Sequence, residues 1–587
     1  MSSIAILYNE KKIDDKVKKS ISLALNYTEI KKEKEISEKI NSMTGYKSFG
    51  KIQFIYPTYK TDRLKIFNNL NFFITISGAI INEKFLLKKY NVSNIFDCFI
   101  DILNLSEKKI LNFFKEINGQ FAIFIYDIKN DNLLLANDKL GFYSAFFYNK
   151  DEKFYYSNCP EALSLLLNKN SDNINYDAVA DYLTLGIVQN RETFISSINN
   201  LPEGSLLFKR RKVKIINYFR FKLEDLNYST KEYKPLVNEA LKKSVNNLYS
   251  FAEEITDVNL TGGFDTRLIN SILLEGGKKQ EVSFNRPSLR YENEINKYSY
   301  RIDEKIGREF AKKFNLDYKL LDFENSDYIE SNEKSYEMHG LFGGELLGGE
   351  AYNQPATLFV SKIPSSGRTH FLTNRFKNLL TRDPIETYYK NIDKIECDEW
   401  EKKIFLYKAK LILTSFNNSL EKYGNHAWIY PRLFFNDVSL IGRRISLYPY
   451  LNYDFLKVFL KIPFKELKDR KFYSSLFEKY YSKYLSVDVL HGKKRYYRYD
   501  EKLKKLYIYK KIENEIKKNI NEKNISNKKR KKNSIRDFNS FLNKLVDIGS
   551  IEERLFFNKS MSINENDIFY YRIKNLQKWF NNFIKIL

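Results

Sequence analysis

Within eight residues, Leu260-Thr261-Gly262-Gly263-Phe264-Asp265-Thr266-Arg267 brings together two hydroxyls, two adjacent glycines, a carboxylate and a guanidinium. Those groups match the needs of a phosphorylated ligand. Glycines let main-chain amides approach phosphoryl oxygens, and the Thr261 and Thr266 hydroxyls can donate to the same oxygens. Asp265 would hold magnesium against them, because Mg2+ takes hard oxygen ligands shared with phosphate. Arg267 would reach phosphate with its two-pronged guanidinium or face solvent at the helix start. Taken alone, the string also fits an ordinary glycine turn capped by Asp or Thr, so the elements around it must decide.

Ile255 to Leu260 reads as a short buried strand and Leu268 to Leu274 carries helical apolar spacing, which puts the glycines at a strand-to-helix turn. A helix over Thr230 to Phe251 precedes them. Strand Glu281 to Phe284, helix Ile302 to Phe314 and strand Tyr318 to Phe323 follow, an alternation that predicts a parallel sheet with its ligand at the strands' carboxyl ends. Beyond Leu358 the pattern is mostly helical. The first part of the chain differs, with short β-like runs at Ser3 to Tyr8, Lys51 to Ile55, Phe72 to Ile76, Gln120 to Tyr126, Leu133 to Asn137 and Ala145 to Tyr148. Turn residues such as Ile117-Asn118-Gly119 separate them, which predicts antiparallel strands with a few helices. Tyr176 to Leu185 reads as a helix. Leu201-Pro202-Glu203-Gly204 reads as a turn before a terminal hairpin of Ser205 to Phe208 and Lys212 to Tyr218. No internal repeat is present.

At 587 residues and 43% hydrophobic content, the chain has material for at least two domains with their own cores. No apolar run reaches the roughly 20 residues that cross a bilayer, and Met1 to Tyr8 lacks the basic start and apolar core of a signal peptide, so a cytoplasmic protein is expected. Cys98, Cys159 and Cys397 are too few and too scattered for a disulfide framework or a metal site, and His339, His370, His426 and His491 lack ligand spacing. The net charge of +25 is spread as lysine along the whole chain beside abundant Asn, Ile, Tyr and Phe, the pattern of solvated lysines rather than a nucleic-acid surface. Its densest cluster, Lys528-Lys529-Arg530-Lys531-Lys532, fits an exposed loop, with RNA, an anionic membrane or a phosphorylated substrate as the other readings.

Several separated segments, taken in order, resemble the asparagine synthetase superfamily across nearly the whole chain. Asn118-Gly119-Gln120-Phe121-Ala122 and Asn137-Asp138-Lys139-Leu140-Gly141 are similar to the amidotransferase patterns D-G-x-F-A and R-D-x-x-G. Asp181-Tyr182-Leu183 with Gly186, then Leu201 to Gly204, resemble Y-L-x-x-G and L-P-x-G. Thr261 to Thr266 stands where that family has S-G-G-x-D-S, and Tyr448-Pro449-Tyr450-Leu451-Asn452 with Ile462-Pro463 resembles its later P-F-L-D and L-P segments. The resemblance implies an α/β and α+β chain of two domains. Residues 1–225 would form an Ntn-hydrolase-like antiparallel β sandwich with helices, a degenerate class II glutamine amidotransferase. Residues 226–587 would form an ATP-pyrophosphatase domain, adenine nucleotide α hydrolase-like, with a parallel sheet and a helical extension.

The same resemblance implies that Leu260, Thr261, Gly262, Gly263, Asp265, Thr266 and Ser283 bind ATP, with Asp265 and Glu345 as magnesium ligands and Lys493 and Arg267 in catalysis. Glu345 lies in Gly343-Gly344-Glu345-Leu346-Leu347-Gly348-Gly349, similar to G-S-D-E-L-F-G-G with Gly344 in the aspartate's place; a glycine turn closed by a solvated Glu is the alternative. Lys493 aligns with the family's lysine that neutralises the tetrahedral intermediate and pyrophosphate. Asp303 matches an acidic position of related chains, or else stabilises the first turn of its helix. Relatives that hydrolyse glutamine carry Cys after the initiator Met as the nucleophile; here Ser2 holds that place, Ser77-Gly78-Ala79-Ile80-Ile81-Asn82 replaces N-G-E-I-Y-N, and Asn118 replaces the aspartate that grips the glutamine amino group. The base glutamate of β-lactam synthetase has no counterpart around Gly442-Arg443-Arg444. The expected activity is therefore ATP- and Mg2+-dependent adenylation of a small-molecule or peptide carboxylate followed by amide formation with a substrate amine or ammonia, as in the β-lactam synthetase and lasso-peptide cyclase branch. Asparagine synthesis from aspartate, and a non-catalytic ATP-binding or assembly role, stay open. So do a homodimer and a partner protein from the same pathway, whereas nucleic acid and a membrane span are not expected.

Overall fold

A computed structural model of the protein describes residues 4–8, 14–26, 44–57, 64–103, 105–141, 143–167, 193–210, 212–219, 233–252, 256–278, 280–286, 294–322, 336–340, 343, 347, 445–459, 471–491, 495–500, 502–503 and 505–511. Ser2, the predicted helix at Tyr176 to Leu185, Glu345, the Gly442-Arg443-Arg444 segment, Lys493 and the Lys528 to Lys532 cluster lie outside these residues. The described residues up to Phe219 belong to one compact unit, and those from Tyr233 to Met338 and from Ser446 to Lys511 to another.

In the first unit two six-stranded sheets carry the residues. One has the order β10-β8-β9-β1-β3-β2, built from β1 (Ala5–Tyr8), β2 (Thr44–Phe49), β3 (Ile52–Pro57), β8 (Phe146–Lys150), β9 (Lys153–Ser157) and β10 (Asn199–Asn200). The other runs β12-β11-β7-β6-β5-β4, from β4 (Leu64–Asn68), β5 (Phe72–Ile80), β6 (Gly119–Asp127), β7 (Asn132–Asn137), β11 (Ser205–Lys209) and β12 (Val213–Asn217). Every strand pairing within both sheets that the described residues define is antiparallel, and β11 and β12 form the terminal hairpin.

Alternation along the strands divides the core in two. Phe73, Ala122, Phe124 and Tyr126 point from the second sheet toward Ile4, Ile6, Phe54, Phe154 and Tyr156 of the first, so the sheets face each other. Ile74, Ile76, Phe121, Ile123 and Ile125 point the other way, onto helices α2 (Glu83–Tyr90), α3 (Ile95–Leu103) and α4 (Glu107–Glu116) through Leu86, Phe99, Phe113 and Phe114. Burial on both faces is why β6 reads as the unbroken apolar run Phe121 to Tyr126 instead of alternating with polar residues. On the first sheet α1 (Asp15–Asn26) lies against β3 and α5 (Pro160–Leu166) against β8 and β9, and the two helices touch. The result is a helix-sheet-sheet-helix sandwich. Cys98 and Cys159 are buried and form no disulfide among the described residues.

The second unit centres on a five-stranded sheet of order β15-β14-β13-β16-β17, from β13 (Thr256–Asn259), β14 (Glu281–Arg286), β15 (Asp317–Asp322), β16 (Tyr336–Met338) and β17 (Ile445–Leu447). β13 pairs parallel with β14 and with β16, and β14 parallel with β15. Helices α6 (Tyr233–Phe251), α7 (Phe264–Glu275), α8 (Glu294–Lys313), α9 (Tyr453–Phe459) and α10 (Lys471–Tyr481) complete it. α8 starts well before the predicted Ile302, because Glu294 to Arg301 is too polar to show an apolar stripe. Beyond Leu358 the helical expectation fails at the three-stranded antiparallel sheet β18 (Val489–His491), β19 (Arg495–Asp500) and β20 (Lys505–Lys511), whose Lys-and-Tyr strands mask their period of two. No helix of the described residues is long and apolar enough to cross a membrane.

At Gly78 the β5 backbone takes φ +98°, and a Cβ there would sit 2.0 Å from the Gln120 carbonyl oxygen of the neighbouring strand. Both the left-handed backbone and the contact demand glycine. Gly78→Ala is expected to destabilise the first unit by about 1–3 kcal/mol. A urea midpoint unchanged from wild type would contradict this close approach.

Candidate active site

Chain order across the parallel sheet points to one place. From β13 the sheet grows through β14 to β15 on one side, and then β16 is laid on the other side of β13. At such a switch the loops after the two adjacent strands leave in opposite directions and open a crevice at the carboxyl edge. Residues 260–263 follow β13, and residues 339–347 follow β16.

The first of these loops is the glycine pair. Leu260 is anchored to β14, its N–H donating to the Ser283 carbonyl at 2.7 Å. Gly262 and Gly263 then turn the chain into α7, which Gly263 caps without a side-chain hydrogen bond and whose first turn carries Asp265. Helix α8 presses on the loop with Asp303, Ile306 and Gly307, one face at positions i, i+3 and i+4. A Cβ on Gly262 would lie 2.9 Å from both Asp303 Oδ1 and Ile306 Cβ, and one on Gly307 would lie 3.1 Å from the Leu260 carbonyl oxygen. Gly262 is therefore required by the approach of a helix.

Both polar groups of Gly262 are engaged. Its N–H donates to Asp303 Oδ1 at 2.6 Å, and its carbonyl accepts the Leu490 N–H of β18 at 2.9 Å. The Thr261 N–H donates to Thr266 Oγ1 at 2.9 Å, the two threonine hydroxyls lie 3.1 Å apart, and the Gly263 N–H reaches Thr261 Oγ1 at 3.2 Å. If the buried Thr266 hydroxyl donates to Thr261, the proton of the less buried Thr261 hydroxyl is left to serve a ligand.

Asp265 sits where three segments meet. A Cβ on Gly343 would lie 3.0 Å from Asp265 Cβ and 2.8 Å from the Tyr450 ring, and one on Gly340 would lie 2.5 Å from the Thr266 nitrogen. The Tyr450 hydroxyl donates to the Asp265 carbonyl at 2.9 Å and lies 3.1 Å from the Tyr473 hydroxyl, which itself hydrogen-bonds Asp265. Burial, with the Asp265 charge nearby, holds both phenols well above their ordinary pKa, so they remain neutral donors. Tyr473 was missed by sequence reasoning: in Lys471 to Tyr481 it is one aromatic among several, and no motif marks it.

The structure brings Leu260, Thr261, Gly262, Gly263, Asp265 and Thr266 together in this turn and sets Ser283 on the adjacent strand. The Ser283 side chain is buried, with no hydrogen-bond partner for its hydroxyl among the described residues. Glu345 and Lys493 lie outside the described residues, although Gly343 reaches Asp265 and β18 ends two residues before Lys493. Two expectations need correction. Arg267 neither reaches toward a phosphate nor faces solvent: it is fully buried, donates at 2.6 Å to the Val487 carbonyl and at 2.7 Å to the Asp488 carbonyl, and stacks 5.0 Å over Phe310. Asp303 is not in a first turn, since α8 begins at Glu294, and its work is at the loop.

Residues 66–219 match the glutamine amidotransferase domain family. Over 306 residues the chain is 25% identical to a putative asparagine synthetase [glutamine-hydrolyzing] 2 of Methanocaldococcus jannaschii, covering 46% of this chain and 58% of that protein, so it spans little more than half the length of this relative. Two solved structures, an allosteric regulatory enzyme of purine biosynthesis (9% identity, 55% of this chain and 80% of that one) and a glutamine phosphoribosylpyrophosphate amidotransferase from B. subtilis complexed with ADP and GMP (11%, 56% and 94%), superpose with TM-scores of 0.26, too loosely to bear on the fold. An amidotransferase-type sandwich is thus joined in one chain to an α/β unit with a glycine loop. Residues 66–219 are thus similar to glutamine amidotransferase domains, and a wider stretch of the chain is similar to an asparagine synthetase-type protein.

Burial raises the Asp303 carboxyl to about 6, against the opposing pull of the Gly262 N–H and the Arg267 charge and with a push from Asp265. A raised carboxyl pKa means the folded state holds the proton more tightly, so this contribution to stability is complete below pH of about 4 and lost as pH rises through about 6. Asp303→Asn removes that dependence. Thermal midpoints of the two proteins should diverge in favour of the variant between those limits and run parallel above them; a constant difference would show that Asp303 titrates normally.

Proposed function

We propose that the protein is an ATP- and magnesium-dependent carbon-nitrogen ligase, forming AMP and pyrophosphate, that adenylates a carboxylate and passes the acyl group to an amine. Residues 226–587 would be the synthetase domain, and residues 1–225 an amidotransferase-like domain without glutaminase activity. The observation that carries this reading is the Gly262-Gly263 turn, set at the sheet's switch point with an uncapped helix start and Asp265 in the first turn.

The donor set suits a nucleotide triphosphate with Mg2+. Thr261 supplies a hydroxyl, the first turn of α7 supplies amides in a field that favours anions, and Asp265 supplies a hard oxygen ligand. Glu345 would be the second such ligand and Lys493 the neutralising cation. With ATP and magnesium bound, the chemistry is attack of a carboxylate oxygen on the α-phosphorus with loss of pyrophosphate. The chain's part is alignment and neutralisation of developing charge. Tyr450 and Tyr473 fix Asp265 through its carbonyl and carboxylate, so the ligand does not have to order it.

Loss of glutaminase is supported by the neighbourhood of Asn118. Where relatives place an aspartate for the glutamine amino group, the Asn118 side-chain oxygen accepts the Lys139 ammonium at 2.7 Å. A cation of the chain's own occupies that acceptor, and the carboxylate that would attract a second one is gone. Asp138, beside it, is committed to the turn, accepting the N–H groups of Phe121, Leu140 and Tyr143. The name of the Methanocaldococcus jannaschii relative favours a second reading, asparagine made from aspartate, which free ammonia would feed.

Exchange of labelled pyrophosphate into ATP should depend on one carboxylate class and fall about a hundredfold or more in Asp265→Ala. Exchange undiminished by that substitution would remove the assigned role. Tight ATP binding without pyrophosphate release across a broad carboxylate screen would instead mean a binding protein. Asparagine formed with ammonia would establish the second reading, and glutamate released from glutamine would refute the inactive amidotransferase.

A further inference from the structure

Arg267 is the largest fully buried side chain of the described residues, and its cost must be offset by something. Burial pulls its guanidinium down to about 9, with only the charges of Asp488 and Asp303 working against that. Its two strong hydrogen bonds go to main-chain carbonyls of adjacent residues, Val487 and Asp488, more than two hundred positions along the chain. A rigid, planar fork of donors holds two successive carbonyls in one fixed geometry, which a rotating ammonium on a flexible stem does not impose. The segment so held continues directly into β18, where the Leu490 N–H meets the Gly262 carbonyl, and a longer contact of 3.5 Å joins Arg267 to that same carbonyl.

Peptide geometry carries the consequence to the ligand side. The 262–263 peptide is trans and planar, so its N–H points opposite to its carbonyl. With the Gly262 carbonyl turned to β18, the Gly263 N–H faces into the turn, where Thr261 Oγ1 lies 3.2 Å away. We infer that Arg267 is a positioning residue: by pinning the carbonyls of Val487 and Asp488 it holds β18 against the Gly262 carbonyl and thereby fixes the Gly263 N–H, with the Thr261 hydroxyl it donates to, on the side where a phosphate would bind. The inference rests on reading this turn as a phosphate loop. It gives Arg267 no direct contact with the ligand.

The test is calorimetric titration of the full-length protein and its variants with Mg-ATP and with inorganic pyrophosphate plus Mg2+. Arg267→Lys and Arg267→Met should both weaken pyrophosphate binding by about tenfold to a hundredfold, because neither holds both carbonyls in the fixed geometry of the guanidinium fork. A residue touching phosphate as a point charge would behave differently, since lysine preserves the charge and would restore most of the affinity. Wild-type affinity in Arg267→Lys therefore overturns the inference. Amide hydrogen exchange on the wild-type protein decides the matter if those variants do not fold. Mg-ATP should protect residues 260–266 and 487–490 together, and protection of the loop alone overturns the inference as well. Asp265→Ala separates the two levels. Undiminished Mg-ATP binding in that variant removes the phosphate-loop reading itself, whereas its loss there beside full affinity in Arg267→Lys removes only the role given to Arg267.

Discussion

The arrangement of the second unit depends on the double engagement of one peptide residue, Gly262. Its amide is taken by Asp303 from α8 and its carbonyl by Leu490 from β18, so a turn that glycine makes floppy is held from two sides. Glycine loses more conformational freedom on ordering than any other residue, and two adjacent glycines double the cost. Gly262 could not be replaced cheaply by a stiffer residue, because α8 leaves no room for a Cβ. The structure offsets flexibility with hydrogen bonds from outside the loop. That solution keeps the close main-chain approach which a phosphate requires while removing the disorder that would weaken it.

Around this turn the charges are few and individually placed. Asp265, Asp303 and Arg267 all lie near one helix start, and two neutral phenols separate the Asp265 main chain from the packed interior. In a poorly solvated setting each charge is costly to hold, as the raised carboxyl of Asp303 and the lowered guanidinium of Arg267 record, both set chiefly by burial. Among the described residues the carboxylates of Asp265, Asp303 and Asp488 outnumber the guanidinium of Arg267 beside them. A magnesium ion brought with a nucleotide would restore that balance, which is the electrostatic sense in which the residues suit the ligand proposed for them.

Legibility in the sequence followed the range of the interactions. The strand, turn and helix at 256–275 were readable because local spacing and two glycines encode them. The parallel sheet was readable from the alternation of elements and the antiparallel strands of the first unit from short runs separated by turns, whereas their arrangement as a sandwich came only from the family resemblance. Arg267 was misread because its partners, Val487 and Asp488, offer main-chain carbonyls, which every residue type possesses and no motif can reveal. Asp303 was placed in a first turn because the polar opening of α8 hides its true start. Tyr473 and the contacts of Gly340 and Gly343 depend on which segments the sheet order brings together, and that order is set by tertiary packing rather than by local pattern.

The two units treat charge in opposite ways. At Asn118 a position that carries an acid in relatives is neutral, and the nearby lysine is satisfied internally. A site that supplies its own cation gains little from binding another, since the acceptor is already paired and displacing Lys139 would leave an ammonium poorly solvated. The helix-sheet-sheet-helix core needs none of that chemistry, because its stability comes from Phe, Ile and Tyr packed on both faces of the second sheet. That packing does not depend on the charges around Asn118, whereas the glycine turn cannot trade its groups so freely. Its hydrogen bonds, its missing Cβ atoms and its buried cation constrain one another, so drift at one would be felt at all.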